Sequence, residues 1–221
     1  MTTPQRPVHA VLFDLDGTLA DTAPDLAYAL NTLLHEESQH VLPYATIRPH
    51  VSHGATALVR LGFNLEPEHE QFPRLRQRLL DIYGANIARE TQLFPGMDIV
   101  LRELEQRGIK WGIVTNKPAA YTEPLLTQLA LRQRAACVIS GDTTTNRKPH
   151  PEPMLLACRQ SGAPAEACIY VGDAQRDVEA GRRAGMRTLV ALFGYLGRDD
   201  YPDTWGADGL IRAPEEILEW L

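Results

Sequence analysis

Two aspartates separated by one residue follow an apolar run near the start of the chain. The run Val8–Phe13 leads directly into Asp14-Leu15-Asp16-Gly17-Thr18. If Asp14 and Asp16 converge, their like charges raise each other's pKa, and a hard cation that prefers oxygen ligands, such as Mg²⁺, relieves the repulsion. The hydroxyl of Thr18 can donate a hydrogen bond to a phosphate oxygen. An Asp-rich turn, or a helix cap at Asp16, is the alternative interpretation.

A second polar group follows the apolar run Ile109–Val114. Thr115 and Asn116 come directly after this run, where a hydroxyl and backbone N–H groups can bind a phosphate. The alternative is that these residues only cap the helix that follows.

Two further charged groups come later in the chain. Lys148 lies in the proline-containing stretch 147–151, which would fix it as a counter-charge; an ordinary solvated lysine is the alternative, and we expect little packing from it. Asp173 and Asp177 follow another apolar run that ends at Val171. They form either a second acidic pair or the cap of a helix.

Short apolar runs precede these groups and indicate buried strands. Each run is bounded by Gly, Pro, Asp or Asn and alternates with helical patterns, which predicts an α/β fold with a parallel sheet and right-handed crossovers. The predicted strands are Val8–Phe13, Ile109–Val114, Cys137–Ile139, Cys168–Val171 and Thr188–Leu192. Because each polar group lies at or shortly beyond the C-terminal end of a predicted strand, all four can converge on one crevice. Converging carboxylates would repel, and Mg²⁺, Lys148 and a dianionic phosphate would balance them.

Helical patterns account for most of the remaining apolar residues. Between the predicted strands they give buried faces that include Ile99 and Leu155, and the helix that contains Leu155 should end near Gly162. Residues 20–93 contain no strand-like run, but Leu26, Leu30, Leu33 and Leu34 share one helical face. The sequence therefore predicts a Rossmann-like α/β core at 1–19 and 94–221, with an all-helical cap at 20–93 inserted after the first strand.

The composition argues against several other classes of protein. The chain has 221 residues, a formal net charge of −6 and no basic block, so nucleic acid and anionic membranes are poor partners. Cys137, Cys158 and Cys168 show no zinc-ligand spacing, and we expect reduced thiols. The first ten residues lack an apolar signal core and no stretch reaches roughly 18 apolar residues, which favours the cytoplasm. His50 and His53 do not indicate a metal site, and the chain is compatible with a monomer or a homodimer.

Taken together, the four polar groups resemble the four motifs of the haloacid dehalogenase (HAD) superfamily. The resemblance rests on Asp14-Leu15-Asp16-Gly17-Thr18, Thr115, Lys148 and Gly172-Asp173 with Asp177, and covers nearly the whole chain. The helical insert and the stretch 115–118 resemble the phosphoglycolate phosphatase branch. The stretches 51–55, 111–118, 194–195 and 205–208 more closely resemble the N-acetylmuramic acid 6-phosphate phosphatases. The resemblance implies a HAD fold and Mg²⁺-dependent hydrolysis of a small phosphomonoester, either N-acetylmuramic acid 6-phosphate or 2-phosphoglycolate.

The resemblance also implies a role for each acidic residue. Asp14 would attack phosphorus and form an acyl phosphate, while Asp16 would protonate the leaving oxygen and later deprotonate water. The ligands of Mg²⁺ would be Asp14, Asp173 and the backbone carbonyl of Asp16. Asp177 would bind either a metal-bound water or Lys148.

The remaining candidates would bind phosphate or select the substrate. The phosphate-binding candidates are Thr18, Thr115, Asn116 and Lys148, of which the resemblance itself implies Thr115 and Lys148. The candidate selectors in the cap are His53, Gly54 and Arg60. Gly54 leaves room for a substrate near the backbone, and Arg60 can bind a carboxylate with two hydrogen bonds or can simply cover a cap helix.

Three other functions remain to be compared with a phosphatase. A dehalogenase would have no use for Asp16. A sugar-phosphate mutase has the same core and requires a cap that holds a bisphosphate in two orientations. An inactive module that binds a partner would be expected to lack one of Asp14, Asp16, Lys148 or Asp173, and all four are present.

Overall fold

A six-stranded parallel sheet is the centre of the computed structural model, which describes residues 7–221. Its strands are β1 (Ala10–Phe13), β4 (Lys110–Val114), β5 (Val138–Ile139), β6 (Cys168–Gly172), β7 (Arg187–Ala191) and β8 (Gly209–Ile211), and a separate antiparallel pair consists of β2 (Ala20–Asp21) and β3 (Gln92–Leu93). The six strands lie in the order β5-β4-β1-β6-β7-β8. The strand order reverses at β1, and open α/β sheets bind ligands at the carboxyl ends of the strands beside such a reversal.

Eight α-helices surround or cover the sheet in the described part of the chain. They are α1 (Ala23–Glu36), α2 (Tyr44–Ile47), α3 (Gly54–Phe63), α4 (Phe72–Ala85), α5 (Met97–Gln106), α6 (Ala119–Gln128), α7 (Glu152–Ser161) and α8 (Gln175–Ala184). Short 3₁₀ helices occupy Arg48–His53, Ala165–Ala167, Pro202–Thr204 and Pro214–Trp220. Within residues 7–221, no helix has the length and apolar character needed to cross a membrane.

The central strand β1 is buried on both of its faces. Ala10 and Leu12 belong to the apolar cluster that includes residues of α7 and α8, whereas Val11 and Phe13 belong to the cluster that includes α5 and the cap helices. Side chains of a strand alternate between the two faces. A strand covered by helices on both faces must therefore be apolar at every position, as this one is.

The predicted fold class is confirmed, and the strand predictions fail at the weakest elements. All five predicted strands are present, with ends that differ by one or two residues. The edge strand β8 was not predicted because it has only three residues and its first is a glycine. Ile99 and Leu155 are 60% and 40% exposed, so placing them on buried helical faces was wrong. Gly162 does end its helix, with a left-handed φ of 67°.

The segment predicted as a cap packs mainly through three of its helices. Helix α1 contacts both α3 and α4, and Leu30, Leu33 and Leu34 of α1 are fully buried. The prediction that 20–93 contains no strand is wrong at its two ends, where β2 pairs with β3. Two-residue strands leave no periodic pattern in a sequence. The division into 1–19, 20–93 and 94–221 stays a prediction, and residues 1–6 of its first segment lie outside the described residues.

One buried carboxylate fastens the start of α1 to the chain that leads into β3. Asp25, only 1% exposed, accepts hydrogen bonds from the backbone N–H groups of Glu90 (2.9 Å) and Thr91 (3.1 Å). It also accepts a hydrogen bond from the hydroxyl of Thr91 at 2.7 Å. One acidic residue thus holds the beginning and the end of the insert together.

Asp25→Ala should lower the free energy of unfolding by about 3 kcal/mol, because three donors, two of them buried, lose their acceptor. Asp25→Asn keeps one acceptor oxygen and should cost about 1 kcal/mol. The measurement is urea denaturation. The exposed Asp81, which accepts a hydrogen bond from Gln77 on the same helix, supplies the control, and Asp81→Ala should stay within about 0.5 kcal/mol of the wild type. Equal effects of Asp25→Ala and Asp81→Ala would contradict this role.

Candidate active site

A buried lysine connects two of the predicted acidic residues. The ammonium of Lys148 lies 2.9 Å from Oδ1 of Asp14 and 2.7 Å from Oδ1 of Asp177. It also donates a hydrogen bond to the hydroxyl of Tyr170, which in turn donates to the carbonyl of Val114. Lys148 is 3% exposed, so it is not a solvated lysine, and the expectation that it contributes little packing is wrong.

Asp173 completes a group of three buried carboxylates at the ends of β1 and β6. Asp14, Asp173 and Asp177 each place a carboxylate oxygen within 4.8 Å of the others. One oxygen of Asp173 accepts hydrogen bonds from Ser52 and the backbone of Tyr195, whereas its buried Oδ1 has no hydrogen-bond partner among residues 7–221. Hard carboxylate oxygens suit Mg²⁺, and an unpaired buried oxygen facing two other acids fits the binding of a cation.

The pKa shifts in this group of acids also favour the binding of a cation. Burial raises the pKa of Asp14, although Lys148 opposes the shift. Burial together with the charges of Asp14 and Asp177 raises the pKa of Asp173 to about 7. Burial lowers the pKa of Arg176, but the charges of Asp177, Asp14 and Asp173 outweigh it and raise that pKa, so the guanidinium stays positive. Because the acids outnumber the nearby cations, a divalent cation would lower the cost of keeping them ionised.

The side chain of Asp16 is held apart from these three acids. Its Oδ1 accepts a hydrogen bond from the hydroxyl of Thr22 at 2.6 Å and pairs with the ammonium of Lys117 at 2.9 Å. Burial disfavours the charged form of Lys117, but Asp16 outweighs it and raises the pKa of Lys117. The ammonium also lies 4.6 Å from the ring centroid of Tyr83, a residue of the cap helix α4. Asp16 thus faces the boundary between the cap and the core.

The predicted phosphate-binding residues line the same edge of the sheet. Asn116 exchanges two hydrogen bonds with the backbone of Lys148, at 3.0 and 3.1 Å, and so fixes the loop that carries the lysine. Thr115 is 3% exposed, and its hydroxyl accepts a hydrogen bond from the backbone of Lys117. The hydroxyl of Thr18 is buried without a hydrogen-bond partner among the described residues.

A cavity of about 340 Å³ lies between cap and core, and we call it the cap–core cavity. Residues of α1, α3, α4 and the 3₁₀ helix at 48–53 line one side, and Asn116, Lys117 and Arg176 belong to the other. Lys117 pairs with Asp16, and Arg176 faces the buried acids. The cavity therefore opens onto the charged residues described above.

The three predicted cap selectors occupy different places. His53 lines the cap–core cavity, and burial lowers its pKa. Gly54 has a left-handed φ of 76° and open space where a Cβ would be. Arg60 instead pairs with Glu66 at 2.9 Å and lines an adjoining groove, which shares His53 and Thr56 with the cap–core cavity. It does not line the cap–core cavity.

Several side chains of the site were not assigned a role from the sequence. Lys117 and Arg176 lie inside the recognised motifs, and for Arg176 its place between Asp173 and Asp177 was the available signal. Ser52 and Tyr195 reach Asp173 from distant segments. The hydroxyl of Tyr195 also accepts a hydrogen bond from the backbone of Ala23. No local pattern predicts such long-range contacts.

Comparisons with known proteins agree with this arrangement. The profile of the family described as Haloacid dehalogenase-like hydrolase matches residues 11–191. A phosphoglycolate phosphatase of Xanthomonas campestris pv. campestris is 44% identical over 212 residues, which are 96% of this chain and 95% of that protein. An N-acetylmuramic acid 6-phosphate phosphatase of Pseudomonas putida is 40% identical over 210 residues, 95% of this chain and 94% of that protein. Similar proteins thus carry two different substrate names.

The fold itself also has close counterparts among solved structures. The crystal structure of a predicted phosphoglycolate phosphatase from Haemophilus somnus superposes with a TM-score of 0.85 at 25% identity. The superposition covers 96% of this chain and 97% of that one. The cap and the core are therefore both part of the shared architecture.

Lys148→Met should lower the free energy of unfolding by about 3 kcal/mol, because it leaves Asp14 and Asp177 buried without their counter-charge. The measurement is urea denaturation at neutral pH. The control is Arg132→Met, which removes a largely exposed partner of Glu123 and should cost less than about 1 kcal/mol. If Lys148→Met were as stable as the wild type, the buried pairs would not balance the acidic cluster.

Proposed function

Because this chain belongs to the haloacid dehalogenase-like hydrolase family, we propose that it is a phosphatase that works through a phosphorylated Asp14. The observation that carries this proposal is the position of Asp14. Its carboxylate lies at the end of β1, 2.9 Å from the ammonium of Lys148, inside the buried acidic cluster. A nucleophile, a fixed positive charge and a set of oxygen ligands thus meet at one edge of the sheet.

The proposed reaction has two balanced steps. In the first, an oxygen of Asp14 attacks phosphorus, the ester P–O bond breaks, and Asp16 gives its proton to the leaving alcohol. In the second, a water molecule attacks the phosphorus of the acyl phosphate, Asp16 takes a proton from the water, and inorganic phosphate leaves Asp14. Such transfers depend mainly on positioning and on stabilisation of charge at the phosphoryl oxygens.

The surrounding residues supply that positioning and charge. Lys148, Thr115 and Thr18 would hold the phosphoryl oxygens, while Asn116 keeps the Lys148 loop in place through its two hydrogen bonds. Thr22 and Lys117 hold the carboxylate of Asp16 toward the cap. An oxygen of the leaving group that enters the cap–core cavity would therefore arrive on the Asp16 side of the phosphorus.

Mg²⁺ is the proposed cofactor. Asp14, Asp173 and the backbone carbonyl of Asp16 would hold it, and Asp177 would bind a metal-bound water or Lys148, with which it is paired at 2.7 Å. When bound, it supplies positive charge to the phosphoryl group and to the acidic cluster. The partner-free Oδ1 of Asp173 supports this assignment.

The proposed substrate is a small phosphomonoester, with N-acetylmuramic acid 6-phosphate ahead of 2-phosphoglycolate. The phosphoryl group is common to all phosphomonoesters, so the residues of the cap–core cavity must select the leaving group. A volume of about 340 Å³ is at the small end of small-molecule sites, and it is much larger than a two-carbon leaving group requires. This difference in size supports the proposed order.

We also propose that the enzyme works in the cytoplasm. The thiols of Cys137, Cys158 and Cys168 are buried, and none of them forms a disulfide. Unpaired cysteines are typical of proteins in a reducing compartment.

Asp14→Asn should abolish turnover of any phosphomonoester, because an amide cannot form the acyl phosphate. Asp16→Asn should slow turnover by about 100- to 10,000-fold, since it removes the group that carries the proton. Steady-state release of phosphate in the presence of Mg²⁺ measures both effects.

Asp203→Asn is the matched control, because Asp203 is an exposed acid in the 3₁₀ helix at 202–204, and it should keep the wild-type rate. Wild-type enzyme in excess chelator should be inactive and should recover when Mg²⁺ is restored. Turnover by Asp14→Asn at the wild-type rate would place the nucleophile elsewhere.

The value of kcat/KM should be higher for N-acetylmuramic acid 6-phosphate than for 2-phosphoglycolate, because the larger leaving group fills the cavity. The measurement is phosphate release from both esters and from a generic aryl phosphate. A tenfold preference for 2-phosphoglycolate, which corresponds to about 1.4 kcal/mol, would reverse the order. If neither ester exceeded the aryl phosphate, both substrate assignments would fail.

A further inference from the structure

The cap–core cavity carries more positive charge than the phosphoryl group requires. Lys148 and Lys117 already have acidic partners inside the site. Two further arginines, Arg76 from the cap and Arg147 from the core, line the same cavity. Within residues 7–221, neither forms an ion pair with a carboxylate. Their charges are therefore free to bind a ligand.

The neighbours of Arg76 on α4 show that its position is distinctive. Arg74 pairs with Glu37 and Arg78 pairs with Glu36, both at 2.6 Å, and these pairs join α4 to the end of α1. Residues four apart share a helix face, whereas residues two apart point about 200° away from each other. Arg76 therefore leaves the face occupied by the other two arginines and turns toward the cavity.

Both walls of the cavity also carry apolar and aromatic side chains. The cap contributes Leu26, Leu80 and Tyr83, and the core contributes Pro118 and Tyr121. The rings of Tyr83 and Tyr121 lie 5.8 Å apart across the boundary between cap and core. Aromatic and apolar walls suit the carbon face of a sugar ring, and a few charged groups suffice to fix its orientation.

We propose that Arg76 and Arg147 form a second anion-binding subsite, which holds a carboxylate on the leaving group of a sugar phosphate. The arginines approach this carboxylate from opposite walls, so its binding also draws the cap onto the core. Guanidinium groups bind carboxylates with paired, charge-assisted hydrogen bonds. This inference rests on the proposed phosphatase activity, and it adds the residues that recognise the leaving group.

In this proposal, Arg76 and Arg147 bind the carboxylate that the sequence analysis assigned to Arg60. That side chain is paired with Glu66 and lines the adjoining groove, which does not include Lys117. A carboxylate bound there would compete with Glu66 for the guanidinium. Among the described residues, Arg76 has no such competing partner.

The experiment compares two substrates that differ only in the lactyl ether that carries the carboxylate. N-acetylmuramic acid 6-phosphate carries a lactyl ether with a carboxylate, and N-acetylglucosamine 6-phosphate lacks that group. The wild type should show at least a tenfold higher kcat/KM for the first. Arg76→Gln and Arg147→Gln should each lower this value by about 10- to 100-fold for the first substrate only. Arg78→Gln removes a charge from the same helix outside the cavity and should preserve the wild-type ratio.

The ratio of the two kcat/KM values separates this role from a structural one. A misfolded or loosened variant would lose activity on both substrates, so equal losses in Arg76→Gln, or an unchanged ratio, would overturn the subsite. A wild-type ratio near one, or a loss of discrimination in Arg60→Gln instead, would overturn it as well. Failure of the proposed phosphatase function is visible in the wild type alone, if it releases phosphate from neither sugar phosphate nor from a generic aryl phosphate.

Discussion

Three carboxylates buried against one another constrain the rest of this structure. Charges in a protein interior are costly unless they are paired and hydrogen-bonded. The positive charges of Lys148 and Arg176 partly offset those of Asp14, Asp173 and Asp177. The elements around the acids hold these charges in place. The sheet order brings the ends of β1 and β6 side by side. The hydroxyl of Tyr170 and the amide of Asn116 then fix the lysine.

The same constraint explains the glycines that surround the acids. A Cβ on Gly17 would collide with the carboxylate of Asp173, and one on Gly172 would collide with Asp177. Gly17 also has a left-handed φ of 80°, which other residues adopt at a cost. The backbone therefore approaches the carboxylates closely at these two positions. Few further groups can reach so compact a site. Ser52 of the cap is one of them, because its hydroxyl donates a hydrogen bond to Asp173.

The sequence predicts the part of the site that is encoded locally. Asp14 and Asp173 follow apolar runs that can only be buried strands of a parallel sheet, so their convergence follows from topology. The burial of Lys148 is not local, because it depends on Tyr170 and on acids from two other segments. The β2–β3 pair and the edge strand β8 were missed because two or three residues leave no period to detect. Long elements and motif residues are thus predictable, whereas partners that meet through the fold are not.

The core and the cap differ in which of their positive side chains already have acidic partners. In the core, Lys148 is paired with Asp14 and Asp177, and the charges of the acidic cluster act on Arg176. On α4, the arginines at 74 and 78 are used in ion pairs to α1. Helical geometry alone directs the arginine between them away from those pairs. Arg74 and Arg78 thus hold the cap together, whereas Arg76 is left to recognise the proposed substrate. The three arginines look alike in the sequence, and only their partners in the structure distinguish them.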